Sequence, residues 1–163
     1  MNAVADHSTP TLNDLVAPNK VGMLASSRGG ALVSRPVTTL GVDGADSLWF
    51  MIAADSAIAA EVARRPRVCL SYVDESGGGY LSLRGTGTIV RDRDRIQALW
   101  NPMYSVWFEG PEDPNIALLL VVVTEFEIWD TPATTVGRLI ALTKAIVTGD
   151  STALGSHARG VPA

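Results

Sequence analysis

Cysteine is almost missing from this chain. Cys69 is the single one in 163 residues, so no internal disulfide can form. Its place in the apolar run Val68-Cys69-Leu70 reads as a buried structural thiol, because a reactive cysteine needs exposure and positive neighbours. Histidine is nearly as scarce. His7 and His157 lie close to the two ends, which excludes a histidine triad or a histidine metal cluster from the core. There is no basic excess either: 13 Lys and Arg against 17 Asp and Glu give a formal charge of -4, without the electrostatic footprint that nucleic acid rewards. The longest purely aliphatic run, Ile116 to Val123, is far short of the ~20 apolar residues a membrane-spanning helix requires. Asp6, His7 and Asp14 stand where a secretion signal needs a basic start and an apolar centre. A reducing cytoplasm is the expected compartment, with small molecules and protein partners as the remaining ligands.

What is present suffices for a real core. Hydrophobic residues make up 47% of the chain, the mean hydropathy is +0.20, and the length fits one domain with tails. Residues 1 to about 10 read as a loose lead, and Thr11 to Ala17 as a short helix ended by Pro18. Strand patterns follow over Lys20 to Ser27, Ala31 to Leu40 and Ser47 to Ala53, separated by the turns Arg28-Gly29-Gly30 and Val42-Asp43-Gly44. Ser56 to Arg65 has Ile58 and Val62 at helical spacing and is stopped by Pro66.

Arg67 to Asp74 and Tyr80 to Arg91 read as a hairpin around a glycine-rich turn, with Leu81, Leu83 and Ile89 on one face of the second strand. Gly85 and Gly87 share that face, the mark of a bulge, a barrel bend or close backbone approach. A helix is expected over Asp92 to Trp100, a strand buried on both faces over Ile116 to Thr124, and a more exposed one over Glu125 to Asp130. An amphipathic helix over Thr134 to Thr148 and a disordered tail over residues 150–163 complete the pattern. Short strands joined by hairpins, with few helices, argue a mainly antiparallel β-barrel.

Several local patterns carry little chemistry. Gly85-Thr86-Gly87 lies inside a strand and opens no helix, so it is no dinucleotide fingerprint. Asp92 and Asp94 suit a helix cap better than a metal, and Glu109, Glu112 and Asp113 lack the oxygen density of a calcium site. Two stretches are more pointed. "WNPMYSVWFEGPEDP", Trp100 to Pro114, holds four aromatics in a broken loop, which either anchors on the barrel or covers something flat. "LWFMIAADSAIAAEV", Leu48 to Val62, is a strand, a turn and a capped helix start, a junction whose free N–H groups suit a phosphate, yet no Lys or Arg appears until Arg64.

The segments Ser34 to Thr38, Leu48 to Ser56, Arg64 to Asp74, Tyr80 to Arg93, Leu99 to Val121 and Glu127 to Asp130 together resemble the general stress protein 26 group of the pyridoxamine 5'-phosphate oxidase-like, FMN-binding split-barrel family. The resemblance runs over residues 11–149 and implies a six- to seven-stranded antiparallel split β-barrel. It implies a cytoplasmic homodimer holding FMN at the subunit interface, with FAD, a deazaflavin or haem as other occupants of the cleft, an FMN-dependent oxidoreductase activity, and an unnamed small-molecule substrate. By the same resemblance Arg35, Pro36 and Val37 run beside the flavin, with Arg35 on the phosphate. Trp49, Phe50, Met51, Ile52 and Ser56 continue the cradle, and Trp107 of the partner covers the ring. Relatives carry Thr and Lys where this chain has Ile52 and Ile58. Either an aliphatic pair faces the phosphate, a loss of about two to four decades in FMN affinity at roughly 1–3 kcal/mol per lost bond, or Ile58 is core at helical spacing to Val62 and a cation such as Arg84 or Arg28 compensates. The alternative is a flavin-free, stress-related dimer.

Overall fold

The computed structural model describes residues 12–16, 20–74, 79–130 and 156–162. The helix expected over Thr134 to Thr148 and the N-terminal lead lie outside the described residues. In chain order the elements are α1 (Leu12–Val16), β1 (Val21–Arg28), β2 (Ala31–Asp43), β3 (Ser47–Ala53), α2 (Ala57–Arg64), β4 (Arg67–Asp74), β5 (Gly79–Val90), α3 (Arg93–Leu99), β6 (Ile116–Asp130) and β7 (Ser156–Gly160).

All strand pairs are antiparallel. The strand order is β3-β2-β1-β4-β5-β6-β7, and β3 also pairs with β6. Six strands thus close on themselves, which removes the free edges that an open sheet exposes. β2 runs past Leu40, where the pattern expected its end, because it turns the barrel corner. Its first part pairs with β1 and its last with β3, with a bulge between Thr39 and Gly41.

Alternation along each strand sends one set of side chains inward. Leu24, Leu48, Phe50, Leu70, Leu83 and Leu119 fill the barrel, joined by Ile58 and Val62 of α2 and by Leu12 and Val16 of α1. A second cluster lies outside the wall, where Trp49 and Leu118 meet Ile96 of α3. β3 and the first half of β6 are therefore covered on both faces, as their apolar runs require. Asp92 caps α3 by accepting the Arg95 N–H at 3.1 Å.

β5 bulges between Arg84 and Gly85, and its glycines sit where neighbours come closest. A Cβ at Gly85 would collide with the Val122 carbonyl oxygen, and one at Gly87 would lie 2.9 Å from Val62 Cγ1. The Gly87 N–H donates to the Pro66 carbonyl at 2.7 Å, tying β5 to the start of β4. Gly85→Ala should cost about 1–3 kcal/mol by overpacking against a main-chain atom that cannot swing aside. Urea unfolding of the variant checks this, with the exposed Thr88→Ala as a control whose midpoint stays put.

Two expectations need correction. Glu125 to Asp130 is the continuation of β6, because β5 pairs along its whole length. The tail is not disordered throughout: Ser156–Gly160 forms β7 on the second half of β6. Its hold is readable in side chains, with His157 stacked on Trp129 at 5.0 Å, Arg159 paired to Glu125, and Gly160 lying against the Phe126 ring. Cys69 is only partly buried, directly opposite Arg84 in the β4–β5 register, with its thiol 3.6 Å from Ser82 Oγ.

Candidate functional site

The strand–turn–helix junction is built as the sequence indicates. Ser56 is the N-cap of α2, accepting from the Ala59 N–H while its own hydroxyl donates to the Ala53 carbonyl. Its proton is therefore spent on the cap. The N–H groups of Ala57 and Ile58, in the first turn, have no intrahelical acceptor. Ile58 and Val62 point into the barrel, and this rotation brings Glu61 to the margin between the helix and the β1–β2 hairpin, where it is only 6% exposed.

Glu61 is fully answered. Ser26, buried on β1, donates to Glu61 Oε2 at 2.5 Å, Arg35 Nη2 donates to the same oxygen at 2.7 Å, and Arg28 Nε donates to Oε1 at 2.6 Å. Arg35 Nη1 also donates to Ser26 Oγ at 2.7 Å. Burial alone would raise the Glu61 pKa. The bonds from Ser26, Arg28 and Arg35 and the charge of Arg35 overcome that and hold it at about 2. Two guanidinium groups facing one carboxylate leave the cluster with one net positive charge. Arg28, 56% exposed, commits only Nε and keeps both terminal nitrogens open among the described residues. Beside it a pocket of ≈ 330 Å³ lies between Arg28, Gly29 and the Ala57, Ala60 and Arg64 side of α2.

The other residues singled out by sequence scatter over three environments. Phe50, Ile52 and Ile58 are sealed in the barrel, so the expected aliphatic floor beneath a phosphate does not exist. Trp49 and Met51, of opposite parity on β3, belong to the outer cluster under α3, with the Arg95 guanidinium 4.3 Å from the Trp49 ring centre. Arg35 is turned onto Glu61 and Ser26, Pro36 is exposed opposite Met23, and Val37 packs against the core. The aromatic loop divides: Phe108 anchors in the outer cluster, whereas Trp107 is 67% exposed.

A model of the family described as pyridoxamine 5'-phosphate oxidase like matches residues 7–153. This chain belongs to that family. Among its relatives is the bli-3 protein of Neurospora crassa, 24% identical over 88% of this chain and 75% of the other. General stress protein 26 of Bacillus subtilis is 28% identical over 65% of this chain and 76% of its own length. The crystal structure of a general stress FMN/FAD binding protein from Xanthomonas citri superposes with a TM-score of 0.62 at 26% identity, covering 71% of this chain and 82% of the other.

The junction of this family member fits an anionic phosphate group on its own chemistry. It offers the open terminal nitrogens of Arg28, the Arg64 side chain and a small-residue wall at Ala57 and Ala60, with the Glu61 carboxylate already neutralised by its own arginines. Sequence reasoning named Arg28 as a compensating cation and missed Glu61 and Ser26 as its partners. The available signals were an acid beside Val62 on a helix otherwise apolar on that side, and a serine at the inward parity of β1, two residues from Leu24.

Proposed function

We propose that the protein is an FMN-binding homodimer of the split-barrel type, acting as an FMN-dependent oxidoreductase. The observation that carries the reading is the Arg28–Arg35–Glu61 cluster along the side of α2, with the terminal nitrogens of Arg28 uncommitted among the described residues. In this reading Arg28 and Arg64 hold the phosphate, with Glu61 fixing Arg28 and Arg35. The strand carrying Arg35, Pro36 and Val37 runs beside the ring. When bound, the flavin supplies hydride or electron transfer, and the chain's residues bind and orient it. Trp107, exposed on an otherwise anchored loop, is the cover offered to a partner's flavin. Val73, Tyr80 and Trp129, 49%, 52% and 38% exposed, lie side by side across β4, β5 and β6 and form the apolar face for that partner.

The test is the visible spectrum of the purified protein followed by titration of FMN against tryptophan fluorescence, in the parent and in Arg28→Ala. A yellow protein, or quenching at micromolar FMN that moves about tenfold or more higher in the variant, is the expected result, the scale of one charge-assisted bond. One observation favours a second reading, a flavin-free dimer: both terminal nitrogens of Arg35 are spent within the chain. Colourless protein without quenching, running as a dimer in sedimentation, is its signature.

A further inference from the structure

A larger concavity adjoins the pocket described above and shares Ser27, Arg64 and Arg65 with it. Its volume is ≈ 1120 Å³, and it brings Arg64, Arg65, Arg67 and Arg84 together against the single carboxylate of Glu125. Arg84 is committed to Glu125 and Glu127 at 3.2 and 2.7 Å. Arg65 makes one long hydrogen bond, 3.3 Å, to Ser27 Oγ. Arg64 and Arg67 make no ion pair or side-chain hydrogen bond among the described residues, and both are exposed.

Three guanidinium groups within four residues repel one another unless an anion lies between them. Here they cannot drift apart freely. Pro66 sits in their midst, and its carbonyl is held by the Gly87 N–H at 2.7 Å, bracing the short passage from α2 to β4. The patch is basic on a chain whose net charge is -4. Long polyanions meet an unfavourable overall field, so a small ligand with closely spaced charges suits it better. One wall is apolar. Leu32, 84% exposed near the tip of the β1–β2 hairpin, lines the same groove.

From this arrangement we propose that the groove is a second ligand site, adjoining the flavin phosphate pocket along Arg64 and Arg65, for a nucleotide carrying more than one phosphate. The phosphates pair with Arg64, Arg65 and Arg67 in the forked geometry guanidinium groups offer, and the flat base lies along Leu32. Arginine gives the charge, and the apolar wall discriminates a nucleotide from a bare inorganic anion.

Calorimetric titration of the full-length protein with ADP, inorganic pyrophosphate and adenosine tests this. ADP should bind with a sub-millimolar dissociation constant, more tightly than pyrophosphate, and adenosine should give no measurable heat. Arg67→Ala, which lies outside the flavin phosphate pocket, should weaken ADP by about tenfold or more, and leave both the circular dichroism and the response to FMN unchanged. Leu32→Ser should weaken ADP and not pyrophosphate. No binding of ADP, equal binding in Arg67→Ala, or displacement of ADP by FMN would overturn the second site. Equal affinity for pyrophosphate and ADP would overturn the nucleotide assignment. Because none of these readings needs a bound flavin, the groove can fail while the flavin reading stands, and the reverse.

Discussion

Glu61→Ala should lower the unfolding free energy by about 3–5 kcal/mol, the cost of removing one partner from a buried ion cluster. The carboxylate is 6% exposed, and its loss leaves the Ser26 hydroxyl proton and Arg35 Nη2 without their acceptor. The two arginines should not matter equally. Arg28 is 56% exposed and its pairing is screened, worth at most about 1 kcal/mol, whereas Arg35 is 21% exposed and should carry most of the coupling. Double-mutant cycles of Glu61→Gln with Arg28→Gln and with Arg35→Gln, read by urea unfolding, separate the two. Equal coupling energies would mean that Glu61 belongs to the surface.

The same group sets an acid limit. Its pKa is lowered in the fold from the ordinary 4.5 to about 2, so the unfolded chain binds the proton first. The stabilisation is full above pH 4.5 and is lost as pH falls toward about 2. Its size is about 3 kcal/mol for a shift of this order. Stability measured from pH 7 down through that window should fall more steeply in the parent than in Glu61→Gln. The reverse order would exclude an ionised, paired Glu61.

Much of the fold was legible because its determinants are local. Period-two alternation and glycine turns place β1, β3 and β4 to within a residue, and Pro66 and Ser56 bracket α2. Gly85 and Gly87 announce both the bulge and the close approach of β6. What escaped depends on pairing across the chain. β6 continues past Thr124 because β5 is long enough to pair with all of it, and β7 exists because the far half of β6 has an open edge. The site was legible as a junction and not as chemistry. Ser26, Arg28, Arg35 and Glu61 are brought together by the β1–β2 register and by the rotation of α2, neither of which a linear pattern states.

That rotation also decides what a lysine beside the helix cap would do. Ile58→Lys should destabilise the protein by about 4 kcal/mol or more, with no gain in FMN affinity. Ile58 is 6% exposed among barrel side chains. The substitution gives up roughly 1.5–3 kcal/mol of apolar burial and forces an ammonium group either to shed its proton or to open the barrel end. The neighbouring position behaves oppositely. Ala57 is exposed and lines the pocket beside Arg28. Ala57→Lys therefore adds a cation where a phosphate would lie, should leave the melting temperature nearly unchanged, and should tighten FMN by about tenfold. Thermal melts and fluorescence titrations of the pair decide the matter. A stable Ile58→Lys protein with tightened FMN would mean that α2 presents the opposite face to the barrel, and with it would go the buried Glu61 and the anion pocket built around it.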